Sequence, residues 1–159
     1  MTEKTYTQSP WSLKELFDSF EDPAMNEAYA KLEKMVAEFE AHRECLKPDI
    51  EGETFLALVK MQEAFTTLAY RVYGFASLSF AANTQDQKAQ IAMARFQQFA
   101  AEMENRTLFF SLWWKELDDA NANRLLDLSG DYRYWLEQMR NFKPYTLSEA
   151  EEKIINIKN

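Results

Sequence analysis

Glycine and proline are scarce in this chain, and their scarcity constrains the fold more than any other feature of the sequence. Only 3 Gly and 4 Pro occur in 159 residues. Sheet proteins of this length need many tight turns, and tight turns depend on residues such as these two. The hydrophobic fraction of 47% is high enough for a compact core. We therefore predict an all-α chain in which long helices are joined by few breaks.

Helix start and stop signals give the order of the long helices. Asp22 is a suitable N-cap and Pro23 a suitable first residue, so the first long helix should begin there. Pro48 should end that helix region. The second helix should run from about 51 to 82, and a polar turn at 83–86 should make the third helix its antiparallel neighbour. The expected architecture is a set of antiparallel long-helix hairpins that form an elongated helical bundle.

The second long helix carries apolar side chains outside its main stripe as well as within it. We therefore expect it to be central and covered on two faces. Gly74 in its interior is predicted to mark a close helix crossing. The apolar residues outside the main stripe are Leu56, Met61, Leu68, Tyr70, Phe75 and Leu78.

Three segments are expected along the chain. Residues 1–22 should form an arm with one short helix capped by Ser12, and residues 23–130 the core of the bundle. Residues 131–159 should form C-terminal helices, the last of them opened by Ser148 as its cap. Because the final residues are apolar rather than polar, we expect the chain to be a portion of a longer protein.

Charge and cysteine content exclude some classes of partner. The formal net charge is -8, and residues 15–53 hold 12 acids against 4 bases. Nucleic acids and anionic membranes attract clustered Lys and Arg, so neither is an expected partner. The single cysteine, Cys45, and the absence of a basic, then apolar, leader predict a cytoplasmic protein.

The sequence offers no recognisable catalytic, metal or cofactor site. The single histidine, His42, cannot supply a ligand set, and no His-Glu-x-x-His, Gly-rich phosphate loop or Gly-x-Ser-x-Gly turn occurs. We interpret His42 as a packed residue at the edge of a helix interface. A small metal-binding bundle around His42 and Cys45 is the alternative.

A run of large apolar residues at 108–114 is the most conspicuous local feature. One helix face cannot bury all of them. Either the helix is packed between two layers, or part of the run contacts another domain or subunit, including a second copy of the chain. The candidate interface residues are Phe109, Phe110, Trp113 and Trp114.

The order of these features resembles the N-terminal helical region of the oligoendopeptidase F family. The resemblance spans nearly the whole chain, and its closing stretch is the most specific part. It rests on Trp11-Ser12-Leu13 with Leu16-Phe17, Arg71-Val72-Tyr73 with Ala76, Leu78 and Asp86, Phe109-Phe110 with Glu116-Leu117, and Tyr132, Tyr134-Trp135-Leu136-Glu137, Arg140, Lys143-Pro144-Tyr145 and Leu147 to Ile154.

The resemblance implies a cytosolic zinc metallopeptidase that hydrolyses oligopeptides. In that family a His-Glu-x-x-His helix and a downstream Glu lie in the C-terminal part, so no catalytic residue is carried over onto this chain. Residues 131–159 would lead toward the missing catalytic domain, which would be the chain's main partner. The leading hypothesis is a non-catalytic portion that walls or covers the substrate cleft of the peptidase. The alternative is a free-standing α-helical protein-interaction module.

Overall fold

The computed structural model describes residues 11–158, and this part of the chain is helical with no β-strand. The all-α prediction is confirmed. None of the helices within 11–158 is long and apolar enough to cross a membrane. Three single 3₁₀ turns lie at Arg43–Cys45, Gly130–Tyr132 and Lys143–Tyr145. The α-helices are α1 (Pro23–Glu40), α2 (Gly52–Ala82), α3 (Gln87–Glu116), α4 (Asp119–Leu126), α5 (Arg133–Arg140) and α6 (Glu149–Lys158).

Aspartate caps determine where three of these helices begin. The Asp22 carboxylate accepts a hydrogen bond from the backbone N–H of Ala24 at 2.9 Å, and Pro23 occupies the first helical position. Asp86 caps α3 and Asp118 caps α4 in the same way. Each cap satisfies a backbone donor that the first helical turn leaves without a partner. The predicted start of the first helix at Asp22 and Pro23 is confirmed. Its predicted end at Pro48 is wrong, because α1 ends at Glu40 and a separate 3₁₀ turn at Arg43–Cys45 follows.

The three long helices enclose the main core. The Phe55 ring, near the start of α2, lies 5.2 Å from the Trp114 ring near the end of α3. The Tyr73 ring, near the end of α2, lies 5.3 Å from the Phe96 ring in the first half of α3. Helix α1 packs against both α2 and α3. The short helices α4 and α5 follow the end of α3, and α6 returns along α3.

The described part of the N-terminal arm forms one hydrogen-bonded turn instead of the predicted short helix. Residues 1–10 of the predicted arm lie outside the described residues. Backbone N–H groups of Leu16 and Phe17 both donate to the Leu13 carbonyl, and no regular helix follows. The turn is held on α2 because the Arg71 guanidinium donates twice to the Leu16 carbonyl, at 2.6 and 3.1 Å. A Cβ on Gly74 would lie 3.6 Å from Leu16, so this glycine faces the arm and not a helix crossing.

Helix α2 is covered less completely than predicted. Phe75 is buried, but Tyr70 is 67% exposed and Leu78 is 44% exposed. The expectation that both faces are covered is wrong at Tyr70 and Leu78, and Tyr70 lines open cavities beside α3 and α5 instead of packing beneath either helix. Tyr70 borders a groove that is described below.

Candidate docking surface

Three of the four candidate interface residues lie in the core of the described chain. Phe110 and Trp114 are fully buried, and Phe109 is 6% exposed. The Phe39 ring lies 5.4 Å from the Phe109 ring and 5.7 Å from the Phe110 ring. Trp114 packs against Phe55. Because the chain's own helices enclose these three side chains, they present no surface to a partner, and their role is packing between layers.

Trp113 differs from its neighbours because part of its side chain is open to solvent. Its ring lies 6.0 Å from that of Phe110 and 6.1 Å from that of Phe55. Its indole N–H is buried and has no hydrogen-bond acceptor among the described residues. Of the four candidates, Trp113 alone has an open surface, so the interface hypothesis for this run applies to Trp113.

The short C-terminal helices are fixed to the end of α3 by directed hydrogen bonds. The Trp114 indole N–H donates to the Leu136 carbonyl of α5 at 2.9 Å, and both partners are buried. The Arg140 guanidinium donates to the carbonyls of Trp114 and Leu117, at 2.6 and 2.9 Å, and to the Asp119 carboxylate at 2.7 Å. Arg140 thereby satisfies carbonyls that the last turn of α3 leaves open.

Helix α6 begins with a capping box formed by Ser148, the cap that the sequence predicts, and Glu151. The Ser148 backbone N–H and hydroxyl both donate to the Glu151 carboxylate, at 3.0 and 2.6 Å, and the Glu151 backbone N–H donates back to the Ser148 hydroxyl oxygen. The Ser148 hydroxyl, followed by the Ser148 backbone N–H, lowers the pKa of the Glu151 carboxyl. The prediction that Ser148 caps the last helix is confirmed.

An ion pair attaches the first turn of α6 to the segment after α1. The two guanidinium nitrogens of Arg43 donate to the two carboxylate oxygens of Glu149, at 3.1 and 2.6 Å. The same guanidinium lies 5.3 Å from the Phe109 ring centroid. Arg43, and after it Lys153, lowers the pKa of the Glu149 carboxyl by donating hydrogen bonds to its charged form. This pair joins residues that are 106 positions apart in the sequence.

Exposed large apolar side chains are concentrated in the C-terminal fifth of the chain. Of the thirteen in the described residues, eight lie between residues 128 and 155. Scattered apolar residues are normal on a protein surface, whereas a concentration of them is typical of a surface that contacts another protein. We call these eight the C-terminal apolar side chains: Leu128, Tyr134, Trp135, Phe142, Tyr145, Leu147, Ile154 and Ile155.

His42 and Cys45 do not form a metal site with other residues of the described chain. The Nδ1 atom of His42 lies 2.7 Å from the Glu38 carbonyl oxygen, to which it donates, and Cys45 is exposed. No three His, Cys, Asp or Glu side chains in the described residues are grouped so that they could hold a metal ion. The donors present there do not fit a zinc site.

Residues 113–159 match a family of peptidase N-terminal domains described as Oligopeptidase F. The match begins at Trp113 in the last turn of α3 and continues through α4, α5 and α6. It includes the whole closing stretch on which the resemblance depends most, and it confirms the resemblance to the N-terminal region of oligoendopeptidase F. No curated protein and no solved structure matches the chain.

Proposed function

We propose that this chain is the non-catalytic N-terminal helical portion of an oligoendopeptidase F-like zinc metallopeptidase. In this proposal the helices form an elongated bundle of antiparallel hairpins that walls or covers the substrate cleft. The C-terminal apolar side chains pack against the catalytic region. The observation that carries the proposal is that the family match and the concentration of exposed apolar side chains fall in the same segment.

The anchoring of that segment supports the proposal. Trp114, Arg140 and the Arg43–Glu149 pair hold the C-terminal helices on the bundle. A segment fixed in this way presents its exposed side chains in a defined arrangement, which reduces the entropy that a partner must overcome on binding. We propose that the partner is the catalytic region of the same peptidase.

In this proposal the zinc-binding and catalytic residues belong to the parent enzyme's catalytic region and not to this chain. In the parent enzyme the resemblance places zinc on a His-Glu-x-x-His helix, and the described residues offer no such set. This chain would limit access to the cleft, so that short peptides enter and folded proteins do not. The cytosol is the proposed compartment, in keeping with a single cysteine.

The alternative is a free-standing interaction module. It draws on the same exposed side chains but requires no catalytic region. The reading frame distinguishes the two: the leading proposal requires a His-Glu-x-x-His segment downstream of residue 159. A frame that ends at Asn159 would favour the module.

A binding measurement with matched variants tests the leading proposal. The downstream catalytic region is purified separately, and the chain is titrated into it by calorimetry. Ile154→Asp should weaken binding about tenfold or more, because it places a charge in a buried interface. Ile91→Asp is the control, since Ile91 is 68% exposed, Ile154 is 61% exposed, and Ile91 lies outside the matched segment. Equal weakening by both variants, or no binding by the unaltered chain, would contradict the proposal.

A further inference from the structure

Helix α2 borders two adjoining surface cavities that the proposed function leaves unused. The first, of about 450 Å³, lies between α2 and α3 and is lined by Tyr73 and Phe96 among others. The second, of about 430 Å³, lies between α2 and the start of α5 and is lined by Trp135. Gln62 and Tyr70 line both cavities. We call the two cavities together the Tyr70 groove.

The Tyr70 groove combines aromatic rings with negative charge. Tyr70 is 67% exposed, and its ring lies 6.4 Å from the Tyr73 ring, which in turn lies 5.3 Å from the Phe96 ring. The charged side chains that line the groove are Glu63 in one cavity and Glu104 in the other, and no Lys or Arg lines either cavity. Ring faces and carboxylates both attract cations.

Elsewhere the chain covers its aromatic rings with its own arginines. Guanidinium groups lie 4.1 to 5.5 Å from four ring centroids, those of Phe17, Tyr29, Phe109 and Trp114. In residues 11–156 no such contact involves Tyr70, Tyr73 or Trp135. The exposed rings of the groove are therefore open to a cation from another molecule.

The groove also offers polar groups that suit a peptide backbone. Thr66 lines both cavities and Thr67 lines one of them. The side-chain oxygen of Gln62 is buried without a hydrogen-bond donor among the described residues. A buried acceptor without a donor is unfavourable, so a rotation of the Gln62 side chain that brings this oxygen to a guest N–H group would be stabilised. Two cavities on either side of Tyr70 are too extended for a single small cation.

We infer that the Tyr70 groove binds a short peptide through a lysine or arginine side chain placed against Tyr70 and between the carboxylates of Glu63 and Glu104. The binding belongs to this chain alone. It requires neither a catalytic region nor zinc, so its failure would leave the proposed function standing.

Fluorescence anisotropy with a matched pair of peptides tests this inference. The probe is a fluorescein-labelled, amidated peptide of alanine and leucine with one central arginine, and the matched probe has citrulline in place of arginine. The arginine peptide should bind about tenfold more tightly, because citrulline keeps the shape and loses the charge. Equal affinity for the two peptides, or no binding of either, would overturn the inference.

Matched variants separate the groove from the general negative charge of the chain. The double variant Glu63→Gln with Glu104→Gln should lower the affinity for the arginine peptide about fivefold and reduce the salt dependence of binding. Glu27→Gln with Glu44→Gln removes the same charge from exposed positions outside both cavities, and should leave the affinity unchanged. Tyr70→Ala should weaken binding while its unfolding curve remains that of a folded protein, because Tyr70 is exposed. Equal weakening by both glutamine pairs would overturn the inference.

Discussion

At the scale of single residues, two glycines differ in backbone conformation, one being left-handed and the other helical. Gly130 has a φ of 50°, in the left-handed region, and it lies between the buried Ser129 and the 3₁₀ turn that leads into α5. Gly74 lies inside α2, where a Cβ would make an ordinary contact with Leu16.

Alanine at each of these positions should therefore change stability in opposite directions. Gly130→Ala should lower the free energy of unfolding by about 1 kcal/mol, the cost of a left-handed backbone for an L residue. Gly74→Ala should raise it by about 0.5 to 1 kcal/mol. Urea unfolding followed by circular dichroism measures the unfolding free energy of both variants. A change of the same sign in both would contradict the different roles given to Gly130 and Gly74.

The Arg43–Glu149 pair predicts an acid-dependent loss of stability. Because the pKa of Glu149 is lower in the folded chain than in the unfolded one, its ionised form stabilises the fold. That contribution is complete above the ordinary glutamate pKa of about 4.3 and is lost as the pH falls through the lowered pKa.

Glu149→Gln should accordingly be less stable than the unaltered chain at pH 7, and the difference should shrink as the pH falls below about 4.3. Unfolding free energies measured across this pH range provide the test. Glu27→Gln is the control, since Glu27 forms no ion pair among the described residues. A difference that is constant with pH would show that Glu149 acts only through packing.

At the scale of elements, the starts of helices could be predicted because their signals are local, whereas the end of α1 at Glu40, before the predicted stop at Pro48, could not. The side chains of Asp22 and Ser148 accept from the backbone N–H groups of Ala24 and Glu151, two and three residues on, so sequence alone identifies them. The exposure of Tyr70 could not be predicted in this way, because it depends on how closely α3 and α5 pack beside α2. The 39% exposure of Trp135 likewise depends on the packing of α5 against the rest of the chain and not on a local signal.

The joint between α3 and α5 should be sensitive to loss of the Trp114 indole. Trp114→Phe leaves a cavity and removes the buried indole hydrogen bond to the Leu136 carbonyl, so we expect a loss of about 2 to 3 kcal/mol in unfolding free energy. Trp135→Phe, at an exposed position, should change stability by less than about 0.5 kcal/mol. Chemical denaturation followed by far-ultraviolet circular dichroism compares the two variants, and similar losses would contradict the role of Trp114.

At the scale of the whole molecule, the sequence shows where large apolar side chains are concentrated but not which of them are buried. The aromatic run at 108–114 was conspicuous in the sequence, but burial of Phe109, Phe110 and Trp114 depends on contacts with distant residues such as Phe39 and Phe55. Of the C-terminal apolar side chains, four lie on α5 and α6 and four lie outside these helices, and only the packed structure shows that all eight are exposed.

A zinc-supplemented hydrolysis assay with a quenched fluorescent oligopeptide tests the central claim most directly. We predict no turnover by this chain alone at any zinc concentration, and turnover when the separately purified catalytic region is present. Addition of the chain should change the peptide-length selectivity of that region, and Ile154→Asp should abolish this change. Robust, chelator-sensitive cleavage by the chain alone would contradict the account.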